Sequence, residues 1–165
     1  MTGPQPRRGG RPPYRPKAKD PARLVAYDVL KAVREQDAYA NLVLPRLLRE
    51  RGLEGRDAAF ATELAYGTLR AIGQLDAILQ ACVDRPLDQV DPPVRDVLRL
   101  GAYQLLRTRI PPHAAVSATV DLARTVLTAG PAGFVNAVLR KVGADDLSGW
   151  LLQLHPGDEI EALAL

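Results

Sequence analysis

The stretch that decides the fold is Tyr103–Arg140, YQLLRTRIPPHAAVSATVDLARTVLTAGPAGFVNAVLR. A helical pattern enters it and must stop before Pro111-Pro112, because a residue preceding proline avoids the α region. A second helix follows the double proline, with Val116, Val120, Ala123 and Leu127 spaced to face inward. Gly130-Pro131 separates it from a third, in which Phe134, Val135, Val138, Leu139 and Val142 share one face. Arg140 and Lys141 fall in its last turn, where they complement the helix dipole, and Gly143 is the C-cap signal.

Working outward, the same grammar repeats. Asp20-Pro21 reads as N-cap and first helical residue of a helix to about Glu35. Ala22, Val25, Ala26, Val29 and Val33 form its inner face, with Arg23 and Lys31 toward water. A second helix is predicted from near Asn41 to Gly52; its Pro45 is tolerable only near the start. Asp57 then caps a long pattern with Phe60, Leu64, Gly67 and Ala71 in one stripe, continued by Leu75, Ile78, Leu79 and Cys82. Gly67 in mid-helix costs about 1 kcal/mol against alanine, so a closely approaching neighbour helix is expected there. Gly73 is expected to split the run in two. After the proline-rich loop 85–93, Val94, Val97, Leu98, Gly101 and Leu105 mark another inner face. Leu147–Leu154 is a weak last segment, and the end, GDEIEALAL, carries no stop signal and reads as interrupted. No run alternates with period two, so the class is all-α, about seven helices.

Charge is unevenly placed. Residues 1–20 hold six Lys/Arg against one acid; residues 21–165 hold sixteen against eighteen. The surplus behind the net +3 therefore sits on residues 1–19, which carry five prolines, three glycines and almost nothing apolar. Such a segment is expected to be a disordered basic arm. A basic arm on a near-neutral body suits a polyanion, and arginine suits phosphate better than lysine does. A solubilising extension is the alternative reading. The RNA-contact candidates are Arg7, Arg8, Arg11, Arg15, Lys17 and Lys19, with Arg23 beside them. A second set, Arg95, Arg99, Tyr103 and Arg107, recurs every four residues opposite the inner face of its helix. Guanidinium groups there can neutralise phosphates and the tyrosine can stack on a base. The competing reading is a solvated face whose arginines pair with Asp91 and Asp96.

Catalytic parts are missing from the pattern. Cys82 has no basic or histidine neighbour in sequence and reads as a small core residue. His113 follows Pro112 at a helix start, where it packs or caps, and His155 stands alone. There is no cluster at metal-ligand spacing and no phosphate-cradling glycine motif. A binding module is expected rather than an enzyme, with no catalytic, cofactor or metal site in this chain. One cysteine, no apolar leader and no long apolar run make the default location cytoplasmic, away from membranes.

YQLLRTRIPPHAAVSATVDLAR followed by GFVNAVLRKV resembles the NusB family. More closely, it resembles the N-terminal NusB-like domain of bacterial rRNA cytosine-C5 methyltransferases, the RsmB/Fmu/Sun family. DAYANLVLPRLL, GRDAAFATELAYGTLRAIGQLD and LRLGAYQLL fit the same domain. The resemblance implies two small packed helical bundles and a role with RNA, here small-subunit rRNA. It divides the chain into a basic arm (1–19), a NusB-like domain (20–143) and a short helix with the start of a linker (144–165). It implies that S-adenosylmethionine and the catalytic cysteines belong to a C-terminal methyltransferase domain, which would also be a partner of this one. A stand-alone NusB-type antitermination factor working with a ribosomal protein is the alternative.

Overall fold

The computed structural model describes residues 19–128 and 130–155. Every regular element among them is helical: α1 (Pro21–Gln36), α2 (Ala40–Glu50), α3 (Gly55–Arg70), α4 (Ile72–Cys82), α5 (Pro92–Arg107), α6 (Pro112–Val126), α7 (Pro131–Val142) and α8 (Leu147–Leu154), with a 3₁₀ turn at Leu87–Gln89. The all-α expectation holds, with eight α-helices where about seven were read. The basic arm lies outside the described residues except for Lys19.

The starts follow the local chemistry. The Asp20 carboxylate accepts from the Arg23 amide at 3.1 Å, and Pro21 occupies the first turn of α1. Prolines likewise open α5, α6 and α7, where a missing N–H costs nothing. Asp146 caps α8 by accepting from the Gly149 amide at 2.8 Å, and the Trp150 indole N–H donates to the Val142 carbonyl at 2.8 Å. That bond and the burial of Trp150 and Leu151 seat the short last helix.

Three local expectations are corrected. Pro45 is the sixth residue of α2, past the first turn. The carbonyl it leaves without an amide belongs to Asn41, an exposed residue that water can serve. Asp57 is not the cap of α3; Glu54 is, and Asp57 lies within the first turn, where its charge still favours the dipole. The α3–α4 break falls at Ala71 rather than Gly73, which lies inside α4 with open space where a Cβ would be.

One helix organises the packing. α5 lies against α1, α3, α4, α6 and α7. Helices α1–α3 form one group on one side of it, and α4, α6 and α7 pack around it on the other. Val97, Leu98, Leu100, Ala102 and Gln104 of α5 are all fully buried. Two glycines permit this closeness. A Cβ at Gly67 would overlap the ring and hydroxyl of Tyr103, and one at Gly101 would come within 2.5 Å of the Leu139 side chain. The mid-helix glycine of α3 is thus explained by an aromatic side chain from α5 lying on its bare backbone.

Because the Gly67 site has no room, Gly67→Ala should lower unfolding stability by about 2 kcal/mol in urea titrations. Gly133 on α7 has open space around it; Gly133→Ala should move the midpoint the other way, by about 0.5 kcal/mol.

Candidate nucleic-acid interface

The α5 arginines do not form a solvent-facing stripe. Arg99 lies inward and donates from Nε and Nη2 to the two Asp76 carboxylate oxygens of α4, each at 2.8 Å. Its Nη1 also reaches Asp96 at 3.4 Å. Asp96 is 1% exposed and accepts from Arg34 Nε of α1 at 2.8 Å. Two guanidinium groups from different helices therefore meet one buried carboxylate. Burial pushes the Asp96 carboxyl above the ordinary carboxylate range, against the pull of Arg34 and Arg99. Asp76 is thus the main partner of Arg99 and Asp96 a longer one, so the competing reading of a solvated face does not describe Arg99 either, while Asp91 is exposed at the α5 start.

The remaining members of that set differ from one another. Arg95 is half-buried, and its Nε is buried without a hydrogen-bond partner among the described residues. Tyr103 is buried, its ring covered by α3 at Gly67, so it cannot stack on a base. Arg107 is exposed and donates to the Gln74 side chain. The periodicity misled because a helix packed on several sides has no water-facing row.

Arg23 is corrected as well. It was placed toward water, but its Nη1 pairs with Asp20 at 2.6 Å and its Nε donates to Gln104 at 2.8 Å. Its guanidinium lies 4.9 Å from the centre of the Phe60 ring. Gln104 in turn donates to Thr119 Oγ1 of α6 at 3.1 Å. Arg23 is therefore a tie between α1, α5 and α6. Lys19 is exposed. Arg7, Arg8, Arg11, Arg15 and Lys17 lie outside the described residues.

The fold gathers other cations that sequence reading passed over. Arg70, in the last turn of α3, lines the same hollow as Arg107. A groove of about 620 Å³ between α6 and α7 has Leu105, Val116, Val120 and Leu139 in its wall and Arg124, Arg140 and His113 among its polar groups. Each of these arginines sits on a different turn or helix, so no spacing signal links them; helix-end position was the one clue for Arg70 and Arg140.

Cys82 is buried, and burial pushes its thiol above the ordinary range, which leaves little thiolate. Among the described residues no three His, Cys, Asp or Glu side chains gather to hold a metal. No described helix is long and apolar enough to cross a membrane.

Comparisons with known proteins agree with this architecture. The model of the NusB family matches residues 20–144. A protein of Mycobacterium tuberculosis (strain ATCC 25618 / H37Rv) named as a methyltransferase is 56% identical over 83% of this chain and 30% of its own length. The ribosomal RNA small subunit methyltransferase B of Escherichia coli O1:K1 / APEC is 35% identical over 72% of this chain and 27% of its own. The chain thus spans about 30% of the length of these relatives. Among solved structures, Thermotoga maritima NusB superposes with a TM-score of 0.71 at 20% identity, covering 80% of this chain and 94% of that one. A structure of the antitermination factors NusB and NusE with double-stranded RNA gives 0.67 at 23% identity, over 76% and 95%. At such identities these structures establish the shared fold.

Removing the shared carboxylate with Asp96→Ala takes the 2.8 Å partner from the half-buried Arg34 and leaves it only Glu35, at 3.5 Å. The expected loss is about 3 kcal/mol of unfolding free energy in guanidinium titrations. Burial also raises Tyr27 and Tyr103 above their ordinary 10.0. Their phenols stay protonated longer in the folded than in the unfolded chain. Stability should therefore hold up to about pH 10 and fall as pH rises through the folded-state values, read as a declining urea midpoint.

Proposed function

The chain belongs to the NusB family, and we propose that it is the RNA-engaging helical portion of an S-adenosylmethionine-dependent small-subunit rRNA cytosine-C5 methyltransferase. The observation that carries this reading is the 35% identity to a ribosomal RNA small subunit methyltransferase B across 72% of this chain, confined to 27% of that relative. A segment of such size contributes recognition, while cofactor binding and methyl transfer fall to the rest of the enzyme. On this reading the methyltransferase domain of the same enzyme is a partner of this one. Cytoplasmic residence follows from the work on ribosomal RNA.

RNA engagement is supported by the excess of cations on residues 1–19 and by the NusB fold, one example of which is solved with RNA. The arm candidates Arg7, Arg8, Arg11, Arg15, Lys17 and Lys19 supply electrostatic attraction, and Arg107 is the exposed candidate on the body. Arg23, Arg99 and the Tyr103 ring are engaged within the fold and recede from the interface.

A second reading, a stand-alone antitermination factor with a protein partner, draws on the near-complete coverage of the NusB chains, 94% and 95%. The identities favour the first: 56% and 35% to methyltransferases against 20% and 23% to NusB.

Binding to a single-stranded fragment of small-subunit rRNA should weaken with salt, with a log–log slope of about −0.7 per phosphate neutralised. Removing residues 1–19 should flatten that slope. An unchanged slope takes the arm out of the interface, and absence of any RNA affinity ends the reading.

A further inference from the structure

The α3–α4 junction holds a hollow of about 510 Å³ that the packing leaves open. It has the size of a small-molecule pocket. Arg70 closes α3 on one side, and Arg107 closes α5 on the other. Both are exposed, and Arg107 is braced by the Gln74 side chain. Among the described residues Arg70 pairs with no carboxylate, and no Asp or Glu lines the hollow. The acid nearest in influence is Glu63, which acts on Tyr103 from within α3.

Two features make this more than a pair of surface arginines. The first is Tyr103. The residue is 8% exposed, held by α3 and α5, yet its side chain lines the hollow. Among the described residues no protein group bonds its hydroxyl, and the oxygen is not sealed from solvent, so it stays open to the hollow. The second is the start of α4. Its cap residue Ala71 has no side chain to offer the first amides, and at Gly73 the backbone is bare, with nothing within 4 Å of a Cβ position. The uncapped positive end of an eleven-residue helix thus borders the hollow.

Two guanidinium groups, an unpartnered phenol and a helix N-terminus converge where no carboxylate competes. We propose that this hollow is a phosphate seat, taking one backbone phosphate of a bound RNA strand. The inference rests on the RNA reading above and adds a defined contact on the folded body. Arg70 and Arg107 neutralise the anion, and the Tyr103 hydroxyl donates to one of its oxygens. The ring itself stays behind Gly67 and makes no base contact. The same chemistry would take the phosphate of a free nucleotide, so the experiment must separate the two sources.

The test uses the full chain and a fluorescein-labelled single-stranded rRNA fragment, read by anisotropy from 50 to 300 mM salt. Arg70→Gln and Arg107→Gln should each weaken binding by about fivefold and reduce the salt slope by about 0.7. Arg56→Gln, an exposed arginine on the first turn of α3, removes equal charge elsewhere and should change affinity by less than about twofold. Tyr103→Phe keeps the ring on Gly67 and hence the melting temperature. It should weaken binding by about threefold with the slope unchanged, a signature that loss of packing would not give. If the wild type binds RNA but the two arginine variants match Arg56→Gln, the seat is refuted while the RNA reading stands. If the wild type binds no RNA, the RNA reading falls. Thermal stabilisation by adenosine monophosphate, abolished in the Arg70→Gln/Arg107→Gln variant, then keeps the phosphate seat and assigns it to a free nucleotide. No stabilisation refutes it.

Discussion

A carboxylate buried inside a helical protein sets the terms for everything packed around it. Asp96 sits in the wall of α5 at 1% exposure, and its charge is tolerable only because Arg34 and Arg99 come to it. Arg99 brings Asp76 of α4 with it. Three helices are thereby joined through one set of charges. Such a set adds little net stability over a well-packed apolar core, but any arrangement that separates its members strands a charge away from water. The cost of that error ties α1 and α4 to their positions on α5.

A second polar network does the same work on the other side. Arg23, Gln104 and Thr119 connect α1, α5 and α6, and Thr119 itself donates to the Ala115 carbonyl at 2.7 Å. Gln104 is fully buried with its amide nitrogen and oxygen both engaged. Between the two networks, the bare backbones of Gly67 and Gly101 let the bulk of Tyr103 and Leu139 come close. α5 is held by directional bonds where it is polar and by surface complementarity where it is not.

The surface chemistry is what remains after this internal use of charge. Arg23, Arg34 and Arg99 are engaged within the fold, whereas Arg70, Arg107, Arg124 and Arg140 stand in the last turns of their helices. Arg70 and Arg107 close one hollow, and Arg124 and Arg140 flank another. The surplus of cations is on residues 1–19, where nothing in the composition offers acids to compete.

Helix positions and most inward faces were legible from residues alone, because proline starts, an aspartate cap and apolar spacing act within a few residues of the chain. Pro21, Pro112 and Pro131 open helices where they were expected to, and Leu147–Leu154 has the bounds its apolar pattern suggested. The membership of the NusB family was also readable, since it rests on side chains strung along α5 to α7. The fate of the charged groups was not. Whether Arg99 meets water or Asp76, and whether Tyr103 offers a ring or only a hydroxyl, depends on residues 23 and 36 positions away in sequence. Periodicity reports that a helix has two faces; it cannot report that neighbours cover both. That was decided by the tertiary packing, which covers α5 on several sides and so turns Arg99 to anions within the fold while Arg107 stays at the surface.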